Sequence, residues 1–311
     1  MTVRTRPTRL LVGVLTTALV LLTGACSVRL DTPPAPIPSP EQSERIRQAS
    51  ALATAELAEL ARSITAEDAD LTALLEDVAG DAQVQLEALG GVWEPPPRPA
   101  ETDAAETPGS NADGPGTAED VLTALTASSE AAREAIASPD VGSDLAALLA
   151  AIVLNRDGSA SRLADQLGVA DPVPAAEPRT PATLGASATG LCRTLDALGY
   201  AGELLAARSS GNAQDRAART AAQMRDLAEQ VAIAAGIDDS GTDPREASYA
   251  VGAGTDLEET VEAWRGDLVT GWLAQLAPAD AADRAGILEH ARAAARHAPE
   301  AVTAPLPGWD G

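Results

Sequence analysis

The chain has no phenylalanine, no lysine, and only two cysteines and two histidines in 311 residues. Aromatic side chains make up 2% of the sequence, whereas alanine and leucine supply most of the 45% that is hydrophobic. Because β-sheets draw on β-branched and aromatic residues, this composition favours closely packed helices. We therefore predict an all-α protein.

Basic residues are also scarce: the chain has 22 of them and 46 acidic residues, which gives a formal net charge of −24. Such a surface repels the phosphates of nucleic acids, and no basic stripe with interleaved aromatic residues occurs along the chain. We therefore expect no nucleic-acid partner, and we interpret the acidity as a solvated face that keeps the protein soluble.

The N-terminus has the layout of an export signal. Arg4, Arg6 and Arg9 precede an apolar run over residues 10–22, which is shorter than the roughly 18 apolar residues of a membrane-spanning helix. The stretch LTGAC, which ends at Cys26, resembles the lipobox of bacterial lipoproteins. The alternative is an ordinary signal peptide next to an incidental cysteine.

The lipobox resemblance implies that residues 1–25 are removed and that Cys26 carries the lipid. Such an anchor would hold the protein at the outer face of the cell membrane, with the membrane as its first partner. The loss of three arginines would make the net charge about −27. Cys192 would then have no partner for an intramolecular disulfide, and we expect it to be a small buried core residue.

Three proline-rich segments divide the chain after the signal peptide. Residues 26–40 are predicted to form an extended tether, and residues 94–116 a disordered acidic loop. Residues 171–181 are predicted to link an N-terminal bundle, residues 41–170, to a C-terminal domain, residues 182–311.

Apolar periodicity predicts four helices in each half. The first helix is expected to bury Leu52, Leu57, Leu60 and Ile64, and the stretch NRDGSAS in the fourth favours a break. The predicted helices are 41–64, 66–90, 117–138, 141–168, 182–209, 212–236, 256–277 and 279–298. In each half a long connection separates the second helix from the third, as in the crossover of ferritin-like bundles. The predicted fold is therefore two tandem four-helix bundles of that type.

The second half also resembles a known family in sequence. It contains ALGYAGELLAAR, DPREASYAV, LEETVEAWRGDLVTGWLAQL and ILEHARAAARHAPEAVTAPLPGWDG. These stretches, and above all Tyr249-Ala250 with Trp264, resemble the ferritin-like domain of unknown function found in lipoproteins of high-GC Gram-positive bacteria. AQVQLEALGGVW in the first half resembles the helix end that often precedes this domain, with Gln85 at a position where the resemblance implies a histidine. The resemblance implies a fold and no activity.

A di-iron bundle needs four carboxylates and two Glu-x-x-His motifs. Neither His290 nor His297 has a glutamate three residues before it, so this ligand set is missing. Asp196 and Glu203 share one face of a predicted helix, and a single metal ion that joins Asp196 or Glu203 to His290 is a weaker candidate. The alternative is that these carboxylates are solvated and the histidines lie at the edge of the surface. We expect no cofactor.

Three functions remain open. The first is an envelope lipoprotein that has lost metal chemistry and acts as a structural or protein-interaction module, with an envelope protein as its partner. The second is an extracytoplasmic binding protein for a metal ion or a small apolar ligand in the second bundle, where Trp264 and Trp272 would either line a pocket or fill the core. The third is an oxidoreductase with an atypical site, although the sequence favours a protein that is not an enzyme.

The C-terminal PLPGWDG is expected to fold back with Trp309 or to be an exposed partner motif.

Overall fold

The computed structural model describes residues 39–94, 116–185, 187–238, 241, 243–251 and 256–309. Within these ranges it contains α-helices, one short 3-10 helix (Pro299–Val302) and no strand, which confirms the all-α class. The helices are α1 (Gln42–Ser63), α2 (Ala69–Ala88), α3 (Ala118–Ile136), α4 (Ser143–Leu167), α5 (Ala188–Arg208), α6 (Gly211–Ala235), α7 (Asp256–Leu273) and α8 (Ala281–Ala295). No helix in the described ranges is both long enough and apolar enough to cross a membrane. Cys26, nearly all of the tether and residues 95–115 lie outside the described residues.

The helices pair as the tandem arrangement predicts. In the N-terminal bundle, α1 packs against α2 and α3, and α4 packs against the same two helices. In the C-terminal bundle, α5 packs against α6 and α7, and α7 packs against α8. Short loops join the helices of each hairpin, and the long connections separate α2 from α3 and α6 from α7.

The two bundles share a hydrophobic core. Helix α4 contacts α7 and α8, and α3 contacts α8. Leu149 of α4 therefore lies in the same buried cluster as Leu195 and Trp272 of the C-terminal bundle. The described residues from Glu41 onward accordingly form a single compact unit.

Local sequence signals explain where several helices begin and end. Thr117 and Asp120 form a reciprocal capping box at the start of α3, as the sequence favours. Helix α5 begins at Ala188, six residues later than predicted. The amide of Leu184 donates to the carbonyl of Ala234 at 2.8 Å, which ties this stretch to the end of α6.

Two detailed predictions for the N-terminal bundle are wrong. Helix α4 continues through the NRDGSAS stretch, because Asn155 and Arg156 are buried and hydrogen-bonded inside the bundle. Leu52 is 44% exposed, so it was placed wrongly in the buried stripe of α1, whereas Leu57 is buried and Leu60 and Ile64 pack against the core as predicted. The buried residues of α1 are Ala51, Thr54, Leu57, Ala58 and Ala61.

The proline-rich segment 171–181 lies along α8 and is held through its backbone. Arg292 Nη2 donates to the carbonyl of Pro174 at 3.1 Å, and Glu289 Oε2 accepts the amide of Glu177 at 3.0 Å. The segment thus contributes to the packing of the C-terminal bundle. Its role as a boundary between independently folding domains stays a prediction.

Candidate functional site

The main buried carboxylate of the C-terminal bundle belongs to Asp196 on α5, which is 3% exposed. Its Oδ2 accepts a hydrogen bond from the hydroxyl of Tyr249 at 2.7 Å. Its Oδ1 pairs with Arg225 Nη1 of α6. Both carboxylate oxygens therefore have strong donors within the protein, which is how a buried charge is tolerated.

Arg225 also reaches Glu203, one of the other predicted site residues. The distance from Arg225 Nε to Glu203 Oε1 is 3.2 Å, and the Glu203 side chain is 55% exposed. Burial alone would lower the pKa of Arg225, but the hydrogen bonds to Asp196 and Glu203 raise it above its ordinary value. The guanidinium thus joins two carboxylates that the sequence placed on one face of α5.

Two glycines of α5 make this ion pair possible. A Cβ added at Gly199 would lie 2.8 Å from Arg225 Cδ, and one at Gly202 would lie 2.9 Å from Ala221 Cβ. Both distances are too short for a real side chain. Gly199 therefore provides the space in which Arg225 crosses α5, and Gly202 sets the close approach of α5 to α6.

Aromatic rings surround the Asp196 hydrogen bond. The ring of Tyr249 lies 5.9 Å from that of Tyr200 and 6.1 Å from that of Trp264, with the latter pair nearly perpendicular. Arg193 lies over the same ring, with Cζ 5.9 Å from its centre. Burial, together with the hydrogen bond to Asp196, raises the pKa of Tyr249, so its hydroxyl stays a donor.

His290, the third predicted site residue, has different neighbours. Its imidazole stacks on Trp272 with 4.1 Å between ring centres, and it hydrogen-bonds to the backbone of Arg179. Burial lowers its pKa to about 4 despite that bond. Within the described residues, no group of three or more histidine, cysteine, aspartate or glutamate side chains is placed to hold a metal ion.

Several predicted core residues are confirmed. Cys192 is completely buried and free, and burial raises its pKa to about 11, which keeps it a thiol. Trp272 is 1% exposed, and Trp264 packs against the core from a partly buried position. Trp309 also packs against this core, so the C-terminal stretch folds back.

A second polar cluster, in the N-terminal bundle, was not predicted. Arg156 of α4 donates from Nη2 to Thr54 Oγ1 at 2.6 Å and from Nε to Gln85 Oε1 at 3.1 Å. Gln85 Nε2 donates to Asn155 Oδ1 at 2.8 Å, and Asn155 Nδ2 donates to Asp81 Oδ2 at 2.8 Å. The polar run NRD inside an otherwise apolar helix was the one sequence signal for this cluster.

Burial determines the electrostatics of this second cluster. It lowers the pKa of Arg156 to about 10, and the guanidinium donates to a hydroxyl and an amide oxygen rather than to a carboxylate. Burial also raises the pKa of Asp81, although the hydrogen bond from Asn155 opposes that shift. The two amides of Gln85 and Asn155 thus bridge a buried cation to a half-buried carboxylate.

The two clusters differ in what they could do chemically. In the Asp196 cluster, both carboxylate oxygens are bound by donors of the protein, and aromatic rings pack around them. In the Arg156 cluster, hydrogen bonds run in one direction from Arg156 through Gln85 and Asn155 to Asp81. Comparison with known proteins adds no further guide, because no family model, no curated protein and no solved structure matches this chain.

Proposed function

We propose that the protein is an envelope lipoprotein, anchored at the outer face of the membrane through Cys26, whose helical bundles act as a structural or protein-interaction module. The lipobox-like stretch LTGAC and the proline-rich tether after it support the anchor. The ferritin-like resemblance of residues 182–311 belongs to the same proposal.

The proposal of a structural role without metal chemistry rests on one observation. The candidate metal ligands already have partners within the protein. Asp196 and Glu203 are both bound to Arg225, so a metal ion would have to break these ion pairs and then meet a nearby guanidinium. In the N-terminal bundle, the buried guanidinium of Arg156 already donates to the oxygens of Gln85 and Thr54. Repulsion between like charges in a low-dielectric interior is strong. Both interiors are therefore better suited to hold helices together than to bind a metal.

Two measurements test this proposal. The first is elemental mass spectrometry on the purified chain without a metal-binding tag, for which we expect well below one equivalent of iron, manganese or zinc. Close to one equivalent, lost on changing Asp196 to Ala, would instead support the metal-binding alternative. The second is cell fractionation of Cys26→Ser. We expect this variant to leave the membrane fraction, and unchanged membrane retention would overturn the lipid anchor.

A further inference from the structure

A cavity of about 270 Å³ lies between α4 of the N-terminal bundle and the C-terminal end of α8. The proline-rich segment after α4 and the 3-10 helix Pro299–Val302 line its other sides. Leu154 and Val302 are 1% and 5% exposed and belong to the shared core, whereas Pro299 is exposed. The cavity therefore runs from the surface to the apolar core. Its apolar lining consists of Leu154, Val173, Ala295, Pro299 and Val302.

The buried polar groups of this cavity already have partners. Arg292 is 3% exposed, and it donates from Nε to Asp157 Oδ2 at 2.7 Å and from Nη1 to Glu289 Oε2 at 2.8 Å. Asp157 Oδ1 accepts a hydrogen bond from Ser129 Oγ at 2.5 Å. A buried water molecule needs two to four polar partners, and these groups have few to offer. The inner part of the cavity therefore favours an apolar occupant over ordered water.

Two exposed arginines line the outer part of the same cavity. Arg162 Nη2 donates to Ser159 Oγ at 3.1 Å, and Arg296 Nη2 donates to two carbonyls of the proline-rich segment at 3.1 and 3.0 Å. Within the described part of the chain, neither guanidinium forms a salt bridge, and the charge of Arg162 acts on Asp81 only from beyond that distance. Both cations are therefore available to an anion that enters the cavity.

The charges that line the cavity leave an excess of one positive charge. Asp171 is the carboxylate of the outer part, and it accepts from Ser161 Oγ at 3.1 Å and from the amide of Val173 at 2.9 Å. Deeper in the cavity, Arg292 and Asp157 neutralise each other. Two outer guanidiniums thus remain beside one carboxylate, in a chain whose formal net charge is −24. This local reversal of sign attracts anions to a surface that otherwise repels them.

We propose that this cavity binds a small amphipathic carboxylate. Its apolar chain lies against Leu154 and Val302, and its carboxylate is bound by Arg162 and Arg296. Because a water molecule occupies about 30 Å³ in the liquid, the cavity has room for a ligand of about eight to ten non-hydrogen atoms. A saturated carboxylate of six to eight carbons has about that size. The site is separate from the proposed membrane anchor and interaction role and does not depend on them.

The test is isothermal titration calorimetry of the full chain with octanoate. We expect one octanoate to bind per chain with a dissociation constant below about 1 mM. Hexanoate should bind about 15-fold more weakly, because each of the two missing CH₂ groups contributes about fourfold. Octanol has the chain without the charge, and inorganic phosphate has the charge without the chain. Each should bind about tenfold more weakly than octanoate or worse.

Variants separate the two halves of the proposed site. Arg162→Gln/Arg296→Gln should weaken octanoate binding about tenfold and leave octanol binding unchanged. Arg216→Gln, which removes an exposed arginine of α6 outside the cavity, should change neither. Ala295→Leu fills part of the cavity and should weaken the binding of both probes. Circular dichroism verifies that each variant is folded.

Three results would overturn the proposal. They are no octanoate binding to the folded wild type at about 5 mM, binding of octanol or phosphate as tight as that of octanoate, and octanoate binding that the arginine variant leaves unchanged. Should the arginine variant unfold, salt decides on the wild type. Raising the ionic strength from about 0.05 M to about 0.5 M must then weaken octanoate binding and leave octanol binding unweakened.

Discussion

Arg156 in the N-terminal bundle and Arg225 in the C-terminal bundle show two ways of placing a guanidinium between helices. Arg225 binds the carboxylates of Asp196 and Glu203, and its pKa is raised. Arg156 binds a hydroxyl and an amide oxygen, and its pKa is lowered to about 10. The first arrangement neutralises a buried carboxylate, whereas the second accepts an electrostatic cost and orients a chain of amides. The C-terminal cluster therefore pairs opposite charges, whereas the N-terminal cluster satisfies a buried cation through neutral acceptors.

The largest expected effect comes from breaking the ion pair of the C-terminal bundle. Arg225→Met leaves the 3%-exposed Asp196 without its cation, which should reduce the free energy of unfolding by about 3 kcal/mol. Urea denaturation measures this change. Adding Asp196→Asn should restore most of the loss, because the unpaired charge is then gone. A loss below about 1 kcal/mol for the single variant would show that the pair does not stabilise the bundle.

The next effect is a pH dependence of stability that arises in the C-terminal bundle, since both histidines of the chain lie in α8 or just after it. His290 has its pKa lowered from 6.5 to about 4, so the unfolded chain binds more protons between these values. Above pH 6.5 the neutral His290 does not reduce the free energy of unfolding. As the pH drops to 4, protonation of this histidine in the unfolded chain should reduce that free energy by about 3 kcal/mol.

The matched measurement for this pH effect is urea unfolding of the wild type and of His290→Phe at several pH values. Carboxylates also titrate in this window, so the quantity of interest is the difference between the two proteins. That difference should shrink or reverse in favour of the variant as the pH falls. If the difference in unfolding free energy between the two proteins stayed constant from pH 7 to 4, the lowered pKa of His290 would be contradicted.

A smaller effect tests the close approach of α5 to α6. Gly202→Ala places a methyl group 2.9 Å from Ala221 Cβ, and we expect a loss of about 1–3 kcal/mol from overpacking. Gly190→Ala on the same helix is the control, because no atom lies within 4 Å of its added Cβ. This control should gain about 0.5–1 kcal/mol from helix propensity. Equal thermal midpoints for the two variants would show that the helices can move apart at no cost.

The smallest effect is expected for Arg156→Met, the variant that matches Arg225→Met in the other bundle. Arg156→Met removes a buried charge that is hydrogen-bonded to a hydroxyl and an amide oxygen, so the lost hydrogen bonds are offset by the desolvation cost that disappears. We expect a change in unfolding free energy below about 1.5 kcal/mol. A loss of about 3 kcal/mol or more in urea denaturation would mean that Arg156 stabilises the bundle as Arg225 does.

Much of the architecture could be predicted from periodicity and composition. All eight predicted helices exist, and the pairing of their hairpins follows the lengths of the connections. On α1, Leu52 was predicted wrongly to be buried, because it faces outward while the alanines beside Leu57 fill the contact with the neighbouring helices. In a chain this rich in alanine, leucine spacing alone does not identify the buried face.

The candidate site was predicted only in part. Asp196 and Glu203 were placed on one face of α5, but their shared partner Arg225 lies on the next helix, and Tyr249 is 53 residues away from Asp196. His290 was grouped with them because histidine is a common ligand, whereas its ring stacks on Trp272. No local pattern in one sequence encodes such pairings, since each depends on how segments far apart in the chain pack together.

The sequence by itself determined the helical class, the number and order of the helices and the excess of negative charge, because these follow from composition and from the 3.6-residue period. Only the tertiary structure decided that the two bundles share a core, that α4 passes unbroken through NRDGSAS, and that Gln85 and Asn155 face the chain at 302–305. These outcomes depend on contacts between residues far apart in the chain. A buried polar group is stable only where folding brings it a partner, and that partner is not visible in its own stretch of sequence.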